Sequence, residues 1–161
     1  MDRDEFGERV REYERLMYSV AFAVLRNETD ACDAMGDGIL RAYSRLNELR
    51  DVTVFKTWIL RIVHNTAVDM IRKRHDTVCL EEAAQIPMHD CEHAEEKLVL
   101  REAVNRLKLP YRTAVTLFYY EDLPTESIAR IMSVPTVTVR QYLYRARKQL
   151  KEMLSEEDFH R

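Results

Sequence analysis

The side chains best suited to chemistry in this chain are recognition groups rather than catalytic ones. Arg140, Gln141, Tyr144, Arg145 and Lys148 lie within nine residues of one another, with Thr138 just upstream. Arg and Gln can each make two hydrogen bonds to the edge of one base, and Thr can bind a phosphate near a helix start. Interleaved with them, Val139, Leu143, Ala146 and Leu150 recur at spacings of four, three and four, the stripe by which an amphipathic helix packs. A second group is Arg61, Asn65, Asp69 and Arg72, at spacings of four, four and three, with Trp58 close to the same stripe. An aromatic ring, an amide and several Arg on one face could stack and hydrogen-bond single-stranded bases while holding phosphates. The plainer reading makes both groups solvated helix faces, Trp58 a core residue, and Arg72-Lys73-Arg74 a basic helix end favoured by the macrodipole. A third group, His89-x-Cys91-x-His93 with Asp90 and Glu92 between and Cys79 upstream, contains transition-metal ligands. Alternate residues point the same way only on an extended chain, so the expectation there is an acidic connecting segment and no bound metal.

The elements that must position these groups are helical. The chain has 161 residues, 46% hydrophobic and 33% charged, with only three Gly and four Pro. That bounds it to one or two small domains and argues against a turn-rich all-β fold. The net charge of −3 conceals segregation. From Arg41 to Arg74 eight basic residues face three acidic ones, a net of +5. From Thr136 to Glu152 five face one, a net of +4, and between the two blocks Asp76 to Glu96 holds seven acidic residues and no Lys or Arg. Two basic blocks around an acidic stretch suggest two anion-binding surfaces and a linker. Three cysteines with no C-x-x-C pair make a disulfide framework unexpected. The acidic start lacks the apolar core of a signal peptide and no apolar run could span a bilayer, so a cytoplasmic protein without membrane insertion is expected.

Periodicity places helices over Phe6–Leu25, Asp30–Leu46 and Val54–Lys73. The second contains Gly36 and Gly38, each costing about 1 kcal/mol relative to Ala, with no local reason for either. In the third, Phe55, Ile59, Ile62, Val63, Thr66, Ala67 and Met70 form the inward stripe. Helix resumes over Glu92–Lys108, then from Leu109-Pro110 through Ala114, Val115, Leu117, Phe118 and Tyr119. Glu121 to Pro124 is a turn, Thr125–Met132 a short helix, Ser133-Val134-Pro135 a tight break, and Thr136–Leu154 a basic helix. A short helix, a tight turn and a basic second helix make a helix-turn-helix, whose second helix enters the DNA major groove.

Taken in order, these segments resemble the bacterial sigma-70 family, specifically its extracytoplasmic-function group, over nearly the whole chain. Asp30-Ala31-Cys32-Asp33-Ala34 with Leu40-Arg41-Ala42-Tyr43 is similar to the helix by which that family grips the RNA polymerase core. Phe55 to Arg72, F-x-x-W-I-L-R-I-V-x-N-x-x-x-D-x-x-R, resembles its promoter-melting, minus-10-reading helix. Leu109-Pro110 through Ala129, with Thr138-Val139-Arg140 and Arg145-Ala146-Arg147, resembles its minus-35 helix-turn-helix. The resemblance implies an all-α fold of two small domains: region 2 over 1–75, an acidic linker over 76–92, region 4 over 93–155 and a polar tail over 156–161. It implies core-polymerase contacts from Asp33, Asp37 and Arg41, minus-10 contacts from Trp58, Arg61, Asn65 and Arg72, and minus-35 contacts from Thr138, Arg140, Gln141, Tyr144, Arg145 and Lys148. The partners implied are the β and β′ subunits of RNA polymerase core, promoter DNA and an anti-sigma factor, with no cofactor and no catalytic residue.

Two departures stand out. Met35-Gly36-Asp37-Gly38-Ile39 replaces the family's common V-Q-E-x-F, and Val137 and Tyr142 stand where Gly and a basic residue are common. The rival reading is a helix-turn-helix regulator that binds DNA without polymerase, its first half dimerising. It leaves the order of motifs in that half unexplained. A di-iron helical bundle would need two Glu-x-x-His motifs, and only Glu157-Asp158-Phe159-His160 is present. No G-x-S-x-G, Walker or Gly-rich phosphate loop appears.

Overall fold

The computed structural model describes residues 1–75 and 94–159. These form seven helices: α1 (Arg3–Leu25), α2 (Glu28–Ser44), α3 (Phe55–His75), α4 (Ala94–Arg106), α5 (Tyr111–Val115), α6 (Thr125–Met132) and α7 (Thr136–Phe159). Short 3-10 turns at Leu46–Glu48 and Val52–Val54 join α2 to α3, and α5 runs on as a π-helical segment over Thr116–Tyr120. Among the described residues there is no strand, and no helix is long and apolar enough to cross a membrane.

Helix boundaries follow side-chain capping. Asp2 accepts from the Glu5 amide at 2.8 Å to open α1, and Asn27 accepts from the Asp30 amide at 3.0 Å to open α2. Arg26, with φ at 51°, closes α1 in the left-handed region. Ser133 at φ 58° does the same for α6, turning the chain sharply into α7. The basic helix runs to Phe159 rather than stopping at Leu154, since nothing from Thr136 onward is Gly or Pro.

In the first half, α1, α2 and α3 pack against one another. The face of α2 turned inward is built from small residues, Ala31, Ala34, Gly38 and Ala42, at spacings of three, four and four. Small side chains let α3 approach closely, and here lies the reason for Gly38. A Cβ at that position would meet Val63 Cγ2 at 2.8 Å and Val63 Cα at 3.1 Å. Gly36, by contrast, faces open space.

The second half folds onto the first. α5 with its π-helical extension lies on α1, and α6 lies on α3. The buried apolar residues of both halves accordingly form one continuous cluster, from Phe6 to Ala146. This explains two features absent from the periodicity reading. Leu60 and His64 are buried on α3 in addition to the expected stripe, because α3 is covered on a further side. Val20 to Leu25 are all buried in succession, which a helix covered on one face cannot achieve.

Candidate nucleic-acid interface

α7 presents a clean division. Val139, Leu143 and Ala146 are buried, 0%, 2% and 0% exposed, against α4, α5 and α6. Arg140, Gln141, Tyr144, Arg145 and Lys148 are exposed on other sides, and Thr138 is partly exposed. Tyr144, at 67%, is among the most exposed large apolar side chains. Arg140 lies 4.0 Å from Glu126 of α6, an exposed pair that adds little stability and leaves the guanidinium available. Arg145 Nη1 lies 3.5 Å from the Tyr111 hydroxyl, and Arg147 donates to the Tyr119 hydroxyl at 2.6 Å.

On α3, Arg61, Asn65 and Arg72 are exposed. At about 100° per residue they fall with Trp58 inside one arc of the helix. Trp58 is partly buried, packed against the core, with its ring 6.0 Å from that of Phe55 at a 46° tilt. The structure therefore brings the four residues to one side, with the indole held from below. Next to Asn65, His64 is buried and its pKa is lowered, chiefly by burial, with a hydrogen bond to Asn65 opposing. Its Nδ1 has no hydrogen-bond partner.

Asp33, Asp37 and Arg41 are exposed on α2. Arg41 Nη1 donates to Asp69 Oδ2 of α3 at 3.2 Å, tying the outer edge of α2 to the polar stripe of α3. His89, Cys91 and His93, with Cys79, lie outside the described residues. Among the described residues no group of three or more His, Cys, Asp or Glu could hold a metal ion.

Motif reading missed Arg112, which joins the halves. The residue is 5% exposed, and its guanidinium donates from Nε to Ala23 O at 2.6 Å, from Nη2 to Val24 O at 2.9 Å and from Nη1 to Leu107 O at 2.9 Å. The last carbonyls of a helix lack intrahelical partners and carry partial negative charge. α1 has no basic residue in its own last turn, so a cation from the second half supplies what α1 lacks. Ser19 donates to Glu121 at 2.6 Å, and Arg26 donates to the Asn105 carbonyl. Beside this seam is a cleft of about 610 Å³ bordered by Tyr18, Phe22, Cys32, Arg101 and Tyr120. The signals in the sequence were the unbroken apolar run at the end of α1 and its missing terminal cation.

Two family models match the chain, Sigma-70 region 2 over residues 9–77 and Sigma-70, region 4 over residues 97–150. It is 31% identical over 150 residues to the RNA polymerase sigma factor SigV of Bacillus subtilis, covering 92% of this chain and 90% of that one. It is 29% identical to the ECF RNA polymerase sigma factor SigW of the same organism, covering 95% and 90%. Among solved structures, the fold is similar to the sigma factor RpoE in complex with the anti-sigma factor NepR from Bartonella quintana. The TM-score there is 0.77 at 22% identity, covering 94% of this chain and 97% of that one. CnrH in complex with the cytosolic domain of CnrY gives a TM-score of 0.69 at 19% identity, covering 96% and 90%. With two helical units in this order, an exposed basic recognition helix and relatives matched nearly end to end, the chain belongs to the sigma-70 family of RNA polymerase sigma factors, as one of the extracytoplasmic-function type.

Proposed function

We infer that this chain is a transcription initiation factor, which binds RNA polymerase core and directs it to promoters through their minus-10 and minus-35 elements. The observation that carries this is the presence, in family order on one chain, of both sigma regions with their polar stripes exposed on α3 and α7. The stand-alone regulator is not favoured, since it gives no role to the match over the first half.

In this reading residues 1–75 act as region 2 and 93–155 as region 4, joined by the acidic segment 76–92. Asp33, Asp37 and Arg41 contact the core β′ subunit. Trp58, Arg61, Asn65 and Arg72 engage the opened minus-10 strand, Trp58 by stacking and the others by hydrogen bonds and charge. Thr138, Arg140, Gln141, Tyr144, Arg145 and Lys148 meet the minus-35 duplex in the major groove while region 4 rests on β. The chain acts in the cytoplasm and supplies no reaction of its own. An anti-sigma factor is the further partner, as NepR is for RpoE in one of the structural neighbours.

Geometry adds a requirement. A compact chain of this length has a radius of gyration of about 15 Å. Elements at minus-10 and minus-35 are about 25 base pairs apart, ~85 Å along B-DNA. Both elements are read together only when the seam around Arg112 parts, so the closed arrangement is the form that precedes engagement.

The test is direct binding of the purified, folded chain to bacterial core RNA polymerase, followed by co-migration on a sizing column at moderate salt. A stoichiometric complex that protects promoter DNA is expected. Promoter-like DNA bound equally well without polymerase, and no complex with core, would replace this reading with the stand-alone regulator.

A further inference from the structure

Val137 has no structural task in the fold. It lies in the first turn of α7, 58% exposed, and is not part of the apolar cluster or packed against it. A β-branched residue is also a poor helix former there, so the helix gains nothing from it. Its direction is informative. At about 100° per residue, Val137 falls within roughly 60° of Arg140, Gln141, Tyr144 and Lys148, and about 120° or more from the buried Val139, Leu143 and Ala146. It is thus the apolar member, nearest the helix start, of a stripe otherwise made of hydrogen-bonding and charged groups.

The residues near the start of a recognition helix are those that reach base edges. On the major-groove edge of B-DNA the one apolar group is the C5 methyl of thymine. The net +4 of Thr136 to Glu152 suits that surface to duplex DNA rather than to an apolar protein face. We propose that Val137 is a specificity-determining residue that packs on the methyl group of one thymine in the minus-35 element. The proposal rests on the reading of α7 as the minus-35 helix. Arg140 and Gln141 would read hydrogen-bonding edges beside it, while Val137 distinguishes thymine from every base lacking that methyl.

The experiment replaces thymine by deoxyuridine, which pairs identically with adenine and lacks only the methyl. Holoenzyme is bound to a promoter fragment that it protects, with each thymine of the minus-35 element, on either strand, replaced in turn. Binding is expected to weaken about three- to fivefold at one position, the loss of one buried methyl. Val137→Ser, a surface change, should bind the thymine and deoxyuridine fragments equally, and Val137→Thr, which keeps a methyl, should restore the discrimination. Indifference of the wild-type holoenzyme to every replacement, or the same sensitivity in Val137→Ser, would overturn the assignment. Holoenzyme that binds promoter DNA without protecting an upstream element would instead sink the reading of α7, and this proposal with it.

Discussion

Gly36 and Gly38 occupy the same helix two residues apart, yet replacing each with Ala should move stability in opposite directions. Each substitution relieves the conformational cost of Gly in a helix, about 1 kcal/mol. At Gly36 nothing lies within 4 Å of the new methyl, so that gain is retained. At Gly38 the methyl would sit 2.8 Å from Val63 Cγ2 and 3.1 Å from Val63 Cα. Val63 is fully buried and, as a β-branched residue in a helix, is held to one rotamer, so its methyl does not rotate away. The second contact is backbone, and α3 must move to relieve both. Overpacking of this kind costs about 1–3 kcal/mol, leaving Gly38→Ala less stable by about 1 kcal/mol after the helix gain is counted. Reversible urea unfolding followed by circular dichroism should show a higher midpoint for Gly36→Ala and a lower one for Gly38→Ala, with unchanged slopes. For a chain of this size the corresponding melting shifts are roughly 2–4 °C each way. Val63→Ala supplies the control, because in that background the cost of Gly38→Ala should shrink by at least about 0.5 kcal/mol. Equal stabilisation by both Gly substitutions would refute the close approach of α2 and α3.

Arg112→Ala leaves the Ala23 and Val24 carbonyls without their cation, at about 1–3 kcal/mol for each polar group stranded in a closed seam. The halves should part instead, giving a larger radius of gyration by small-angle scattering with helix content retained; an unchanged radius would argue against the latch. His64 is buried with its pKa depressed, so the folded state binds fewer protons than the unfolded one as pH falls below about 6.5. Its contribution is complete above that value and is lost as pH drops toward the folded pKa, by at most about 1.4 kcal/mol per pH unit. His64→Leu should flatten this part of the stability profile between pH 7 and 5, and an identical profile would count against the buried, neutral imidazole. Arg140→Ala should cut transcription from promoters that depend on a minus-35 element while core affinity stays intact; a fall in core affinity would mean α7 is misassigned.

Most of the helices were legible because each carries its own periodic stripe and its own stop signals. Asn27 and Ser133 cap or turn the chain through local chemistry, and the second makes the tight break before α7. What escaped was long-range. The burial of Leu60 and His64 depends on α6, more than fifty residues further along, and a single-helix stripe cannot anticipate a second neighbour. Gly38 looked like a defect in α2 because its reason, Val63, lies on another helix. Arg112 resembled any other surface cation in the sequence, although its partners are carbonyls, which carry no side-chain signature at all.

The Arg112 contact also has a history in time. Ala23 and Val24 lie 89 and 88 residues before it in the chain. At about 5–20 residues per second, a ribosome takes roughly 4 to 18 seconds to make the cation after it has made the carbonyls. Throughout that interval the apolar run Val20 to Leu25 lacks its cover from the second half. Every newly made molecule therefore passes first through a state with the halves apart, and closure is an event of the finished chain. A partner able to seize the first half as it leaves the ribosome would compete with a latch that has not yet been synthesised.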